Sequence, residues 1–244
     1  MSDSLTPSQI NSIEAHLRER GLDPDNIHVI LDKENGLATF LLYNLSGQLV
    51  GYQRYNPMGD KKDHTNSLSA KYFTWVTKES EKTAKLAVWG TEFIDADNPN
   101  LFVTEGIFDA VKIHNAGLPV IAVLGNNPKV LKSWFAILNK HTIAVIDNDA
   151  AGKSLANLTD EHFVTPAPYK DLGEMPQDAV NKFLASVGHQ PKSTQSNQKD
   201  MSKILSQTIV NPNTDNKILI STALKYDEDH PAHKLAQQIV DKYK

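Results

Sequence analysis

The amino-acid sequence predicts an α/β protein in which helices flank a parallel sheet, with an N-terminal mixed α+β lobe and a small C-terminal module. Two observations carry this prediction. Short apolar runs alternate four times with helical stretches between residues 101 and 187, and the region before them has the pattern of antiparallel strands. Strands that alternate with helices form parallel sheets, because each helix carries the chain back across a face of the sheet.

The alternating region predicts where a ligand would bind. Its strand and helix pairs are 101–104 with 108–116, 120–124 with 128–139, 142–146 with 150–158, and 162–165 with 176–187. In parallel sheets of this kind, ligands bind outside the carboxyl ends of the strands. We therefore expect the functional residues directly after these four strands.

The rest of the chain is divided by pattern and composition. A helix is predicted to begin at Thr6 and Pro7 and to end near Gly21, because these residues favour helix starts and ends. An antiparallel meander follows, and a segment rich in Ser, Gln and Lys later predicts a linker. The predicted domains are 1–100 as a basic N-terminal lobe, 101–187 as the parallel-sheet domain, 188–203 as a flexible linker and 204–244 as the C-terminal module. Within the N-terminal lobe, the strands of the meander are predicted at 27–31, 38–43 and 48–55. Within the C-terminal module, a possible strand is predicted at 217–222 and a helix from 231.

Composition narrows the classes of function. The net charge of −4 and the pI near 6.1 do not by themselves indicate a nucleic-acid binder, although they allow local basic patches. Because the chain has no cysteine, it can form neither disulfides nor thiolate zinc sites. The sequence shows no signal peptide and no apolar run of the roughly 18 residues that span a membrane. We expect a soluble protein of the cytoplasm with no membrane partner.

Acidic residues follow three of the predicted strands. Glu105 comes after the first, with Asp109 four residues later, Asp147 and Asp149 come after the third, and Asp171 follows the fourth. Clustered carboxylates repel one another unless a cation neutralises them, and hard divalent ions prefer oxygen ligands. The pattern predicts a Mg²⁺ or Mn²⁺ site for phosphate chemistry. Any one of these acids alone would more readily be interpreted as a helix cap or a solvated loop residue.

Three short motifs carry a family resemblance. Glu105-Gly-Ile-Phe-Asp-Ala resembles the glutamate motif of Toprim domains, and Asp147-Asn-Asp-Ala-Ala-Gly-Lys resembles their Asp-x-Asp motif in the form found in primases. The segment Lys170-Asp171 resembles one in phage primase–helicases. Residues 101–186 thus look like the Toprim domain of bacterial and phage DNA primases, and a weaker likeness to the basic half of the primase polymerase domain begins near residue 45. The resemblance implies that Glu105 is an acid/base or metal-linked residue and that Asp147, Asp149 and Asp171 hold divalent ions.

The segment 45–90 is locally basic and aromatic. Its seven Lys and Arg residues outnumber four acids, and five aromatic residues lie among them: Tyr52, Tyr55, Tyr72, Phe73 and Trp75. Cations neutralise phosphates, and aromatic rings stack on exposed bases. We expect Lys71 and Arg54 to face the acidic residues and to contact nucleotide or backbone phosphates, with Lys153 and Lys170 as further phosphate contacts. The alternative is a solvated strand face whose aromatic residues belong to the core.

These observations favour a primase-like, DNA-dependent nucleotidyltransferase that makes short RNA primers on single-stranded DNA from ribonucleotides with Mg²⁺ or Mn²⁺. Two alternatives stay open, a Toprim metal-dependent nuclease and a non-catalytic, nucleic-acid-binding replication accessory protein. The second alternative gains weight because the chain lacks the cysteine-rich zinc module of replicative primases, and because Gly125-Asn-Asn stands where these enzymes usually have a turn richer in Gly, Ser and Thr. A helicase or another replication protein would then supply template recognition.

Overall fold

The computed structural model describes residues 12–44, 46–77, 87–124, 131–148 and 153–191. Its contacts divide the chain into two compact units, 1–197 and 198–244. The second unit lies outside the described residues, and so do the predicted strand at 217–222, the predicted helix from 231 and the expected helix start at Thr6. Among the described residues, no helix is long and apolar enough to cross a membrane.

The chain first forms a short helix and an antiparallel sheet. Helix α1 spans Ile13–Glu19; the Ser12 hydroxyl accepts a hydrogen bond from the Ala15 amide at its start, and Ile13 and Leu17 are buried. The sheet has the order β1-β2-β3-β4, and every neighbouring pair is antiparallel. Its strands are β1 (Ile30–Asp32), β2 (Leu37–Tyr43), β3 (Leu49–Tyr55) and β4 (Tyr72–Val76). The meander predicted from the sequence is present, and its first strand is shorter than expected.

Strand β4 has no counterpart in the sequence-based prediction. It is an edge strand, three of its five residues are exposed, and a long loop from 56 to 71 separates it from β3. A hairpin is recognisable in sequence when a short turn joins two alternating runs, and neither condition holds here.

The second part of the described chain forms the predicted parallel sheet. All neighbouring strands are parallel, in the order β6-β5-β7-β8, so the predicted α/β fold class is confirmed. The elements are β5 (Asn100–Thr104), α2 (Ile107–Asn115), β6 (Val120–Ala122), α3 (Lys132–Leu138), β7 (His141–Ile146), α4 (Lys153–Ala156), β8 (Glu161–Val164) and α5 (Gln177–Ser186).

Helices cover the parallel sheet. Trp134 and Phe135 of α3 and Leu155 of α4 share one buried cluster with Leu101 and Val103 of β5. Side chains alternate between the faces of a strand, so Phe102 points to the opposite face, where it contacts His189 just beyond α5. The sheet is thus packed on both faces, as its near-continuous apolar strands require.

A short segment after residue 86 joins the two sheets through the backbone. Val88 pairs with Tyr43 of β2, and the next residue, Trp89, pairs with Ala122 of β6 through hydrogen bonds of 3.0 and 2.9 Å. Gly90 then turns the chain with φ of +89°, and a Cβ at this position would lie 3.0 Å from the Val120 carbonyl oxygen. This close approach requires glycine.

Aromatic side chains fill the junction of the two sheets. Phe40 of β2 makes edge-to-face contacts with Trp89, at 6.4 Å between ring centroids, and with Phe108 of α2, at 6.2 Å. Phe40 and Trp89 are each only 1% exposed. This burial provides the apolar contact that holds the sheets together.

Phe40→Ala should lower the free energy of unfolding by about 3–5 kcal/mol, because it opens a cavity at this junction. Ile137→Ala is the matched control: Ile137 is 77% exposed, and its loss should change stability by less than about 0.5 kcal/mol. Urea denaturation followed by circular dichroism measures both. Equal stabilities for the two variants would show that the junction does not stabilise the fold.

Candidate active site at the carboxyl edge of the parallel sheet

Glu105 and Asp109 follow β5 at the carboxyl edge of the sheet. The Thr104 hydroxyl donates to the Gly106 carbonyl at 3.0 Å, and the Leu124 amide donates to the Glu105 carbonyl at 3.0 Å, so the strand end is held on both sides. A Cβ on Gly106 would stand 2.6 Å from Oδ2 of Asp109. Glycine at 106 therefore leaves room for the Asp109 carboxylate in the first turn of α2.

Asp171 reaches the same edge through the loop after β8. The Asn148 amide, next to Asp147 at the end of β7, donates to the Lys170 carbonyl at 2.8 Å. Asp171 caps the 3-10 helix Leu172–Glu174 and accepts from the Glu174 amide at 3.0 Å. These backbone contacts bring Asp171 towards the ends of β5 and β7.

The loop also binds Asp109 directly. The Gly173 amide donates to Oδ1 of Asp109 at 2.8 Å. A Cβ on Gly173 would stand 2.9 Å from Nη2 of Arg20, 3.2 Å from Oδ1 of Asp171 and 3.3 Å from Oδ1 of Asp109. Two carboxylates and a guanidinium thus converge on the small space that Gly173 leaves open.

The pKa of Asp109 reflects this crowding of charged groups. Burial raises its pKa to about 7, and the negative charges of Asp171 and Asp147 add to the rise. The Gly173 hydrogen bond and the Arg20 charge oppose it. Asp109 therefore lies close enough to Asp171 and Asp147 for their charges to act on it, and it can hold a proton near neutral pH.

Arg20 is the residue of this site that sequence reasoning missed. It follows α1, and its guanidinium lies 3.9 Å from the centre of the Phe108 ring. Burial lowers its pKa, but interactions with Tyr72 and Tyr55, including hydrogen bonds, outweigh that effect and raise it. The residues around Arg20 do not indicate a function in the sequence, because the partners of Arg20 come from distant strands and from α2.

The four predicted basic residues occupy different places. Burial lowers the pKa of Lys71, which directly precedes β4, and the charges of Lys61 and Arg20 lower it further. Arg54 neighbours Tyr55 in β3 and points to the opposite face, where Nη1 donates to the Ser67 hydroxyl at 3.3 Å. Lys170 is exposed beside Asp171, and the backbone of Lys153 begins α4. For Lys71, the expected orientation towards the acidic residues stays a prediction.

The residues of the predicted metal site lie partly within the described chain. Asp149 lies outside the described residues, as does the side chain of Lys153. Within the described residues, no group of three or more acidic or histidine side chains has an arrangement that could hold a metal ion. Glu105 and Asp147 are partly buried at the strand ends and have interacting partners.

Comparisons with known proteins identify the fold. No family model and no curated protein matches the chain. The primase fragment of the bacteriophage T7 primase-helicase protein matches with a TM-score of 0.50 and 16% identity, over 70% of this chain and 72% of that one. A chain of the T7 lagging-strand DNA polymerase complex with primase domains, an RNA/DNA hybrid and dTTP matches with a TM-score of 0.51 and 16% identity, over 72% and 92%. The RNA polymerase domain of Mycobacterium tuberculosis primase has a TM-score of 0.45 and 15% identity, over 93% and 80%. The T7 likenesses define this chain as a protein with a primase-like fold.

Asp109→Asn should change how stability depends on pH. Because the folded pKa of about 7 is above the ordinary value, the folded protein keeps a proton that the unfolded chain has lost between about pH 4 and pH 7. The free energy of unfolding of the wild type therefore falls as pH rises through this window. The variant should lack this loss and be more stable by about 1–3 kcal/mol at pH 8.

Urea denaturation at about pH 5 and pH 8 measures the difference. The matched control is Asp178→Asn, which changes an exposed acid on α5 and should keep the wild-type pH dependence. If Asp109→Asn keeps it too, Asp109 does not carry the raised pKa.

Proposed function

We propose that this protein is a primase-like nucleotidyltransferase that makes short RNA on single-stranded DNA. One observation carries the proposal: Asp109, Asp147 and Asp171 interact at the carboxyl edge of the parallel sheet in a primase-like fold. This edge is where sheets of this type bind their ligands. The sequence motifs that contain Glu105 and Asp147, which resemble those of Toprim primases, give independent support.

The donor chemistry of the site fits a hard divalent cation. Its side chains offer carboxylate oxygens. Burial is the main cause of the raised pKa of Asp109, and the negative charges of Asp171 and Asp147, which a cation would offset, add to it. In this proposal Asp147 and Asp171, with Asp149, hold Mg²⁺ or Mn²⁺. When bound, the ions would supply charge neutralisation for the transferred phosphoryl group and a lower pKa for the attacking 3′-hydroxyl.

The chain's own groups have distinct tasks in this mechanism. Glu105, which follows the end of β5, accepts the proton of the attacking 3′-hydroxyl. Arg20, held against the Phe108 ring, offsets negative charge beside Asp109 and Asp171. Lys71 supplies countercharge to the triphosphate from the neighbouring sheet. Template choice falls to a partner such as a helicase or another replication protein.

Asp147→Asn should reduce primer synthesis by about 100-fold or more, since it removes a charged ligand from the reacting centre. Single-stranded DNA, four ribonucleotides and Mg²⁺ or Mn²⁺ are incubated with each protein, and labelled products are separated by length. Asp178→Asn, on the exposed side of α5, is the control and should synthesise normally. Shortened DNA from the wild type would identify a nuclease, and the absence of any product would identify a binding protein.

Lys71→Ala should weaken ribonucleotide binding by about tenfold, the usual cost of losing a charge-assisted contact. DNA binding should change less, because many phosphate contacts share it. Titration of labelled nucleotide and labelled DNA separates the two effects. Lys182→Ala removes an exposed lysine of α5 and should alter neither affinity. Normal nucleotide binding by Lys71→Ala would remove Lys71 from the site.

A further inference from the structure

The outer face of the antiparallel sheet carries an aromatic cluster. Tyr52 stacks on Trp75 at 5.7 Å between ring centroids and 27° between planes, and it contacts Phe73 at 6.2 Å. The Arg54 guanidinium lies 5.9 Å from the centre of the Tyr52 ring. The register explains these contacts, because Tyr52 pairs with Trp75 and Arg54 pairs with Phe73 on the same face of adjacent strands.

This face is separate from the acidic site. The alternating partners Tyr55 and Tyr72 point to the opposite face, where Tyr55 contacts Phe108 of α2 at 5.0 Å. The outer aromatic cluster, defined as Tyr52, Phe73 and Trp75, therefore does not belong to the junction with the parallel sheet.

Trp75 is unusually accessible for a tryptophan. Its exposed fraction is 46%, against 1% for Trp89 and 4% for Trp134, the other two tryptophans of the chain. Tyr52 stacks on the Trp75 ring system, and an indole ring is planar and mostly apolar. A planar partner that stacks on this surface would remove it from water.

Arg54 adds an unsatisfied cation to this face. Its Nε atom is buried without a hydrogen-bond partner, and its one hydrogen bond among the described residues goes from Nη1 to Ser67. No carboxylate of the described part of the chain forms an ion pair with it. A guanidinium donates through several N–H groups in a fork that matches phosphate oxygens.

We propose that the outer aromatic cluster and Arg54 bind a single-stranded nucleic acid, with bases stacked on Trp75 and Tyr52 and a backbone phosphate on Arg54. Stacking requires exposed base faces, which a single strand offers and a duplex does not. Because the net charge is −4, long-range attraction is weak, and stacking must supply a large share of the affinity. The choice of a nucleic-acid strand as the occupant rests on the proposed function. The site itself is distinct from the acidic residues.

Trp75 provides an intrinsic probe for the test. An oligothymidylate of about ten nucleotides is titrated into the protein in EDTA, so that no metal-dependent reaction occurs, and tryptophan emission is recorded. We expect quenching in the wild type and its loss in Trp75→Phe, because the other two tryptophans are buried. An abasic strand of equal length, which keeps the phosphates but offers no rings, should bind more weakly and leave the emission unchanged.

Anisotropy of a labelled strand measures affinity independently of tryptophan. Trp75→Ala, Tyr52→Ala and Arg54→Ala should each weaken binding by about tenfold, and Trp75→Phe should weaken it less. Lys182→Ala should bind as the wild type does. Circular dichroism of each variant checks that the sheet is intact, and Trp75→Phe keeps the test informative if an alanine variant fails to fold.

Three results would overturn the inference: no quenching, equal binding of the abasic strand, or a Trp75→Phe protein that loses self-association instead of strand binding. The last result would assign the face to a second copy of the chain. Asp147→Asn should still show the quenching. If the wild type synthesises RNA but its tryptophan emission is not quenched, only the strand-binding role of this face is wrong. If the emission is quenched but no RNA is made, only the proposed catalysis is wrong.

Discussion

The packing of Phe40 against Trp89 and Phe108 is the contact on which the rest of the structure depends. It holds the antiparallel sheet against the parallel sheet, and the backbone reinforces it where Val88 and Trp89 pair with one sheet each. Phe108 also lies beneath the Arg20 guanidinium and directly precedes Asp109. An apolar contact thus determines where the partly buried Arg20 guanidinium and Asp109 meet.

The acidic site illustrates a conflict between stability and chemistry. Asp109 is partly buried near Asp147 and Asp171, and burial together with the charges of both neighbours disfavours its ionised form. Partial compensation comes from the Gly173 amide and from Arg20, which two tyrosines and a phenylalanine hold in place. Such crowding is costly in a metal-free protein, and it is typical of sites at which charge is needed for function.

The antiparallel sheet uses its two faces differently. One face presents Phe40, Tyr55 and Tyr72 to the junction and to Arg20, while the other presents Tyr52 and Trp75 to the outside. The period of two along β3 and β4 produces this division, since neighbouring residues point to opposite faces. The segment 45–90, which is basic and aromatic in composition, therefore contributes side chains to two surfaces with different surroundings.

Sequence alone determined the features that arise from local periodicity. The alternation after residue 100 predicted the parallel sheet, and the position of Glu105, Asp147 and Asp171 after strands predicted that they share one edge. The predicted parallel sheet is confirmed, because strand and helix periods are encoded in consecutive residues. The shared site of the three acids stays a prediction, which rests on parallel strands ending at the same edge.

Tertiary structure alone decided what depends on residues far apart in the chain. Strand β4 forms at the edge of its sheet without a hairpin signal, Arg20 reaches Asp109 from the end of α1, and strand register pairs Arg54 with Phe73. No local pattern records these placements. They follow from how two sheets and a helix pack together, which brings side chains into contact through space and not along the sequence.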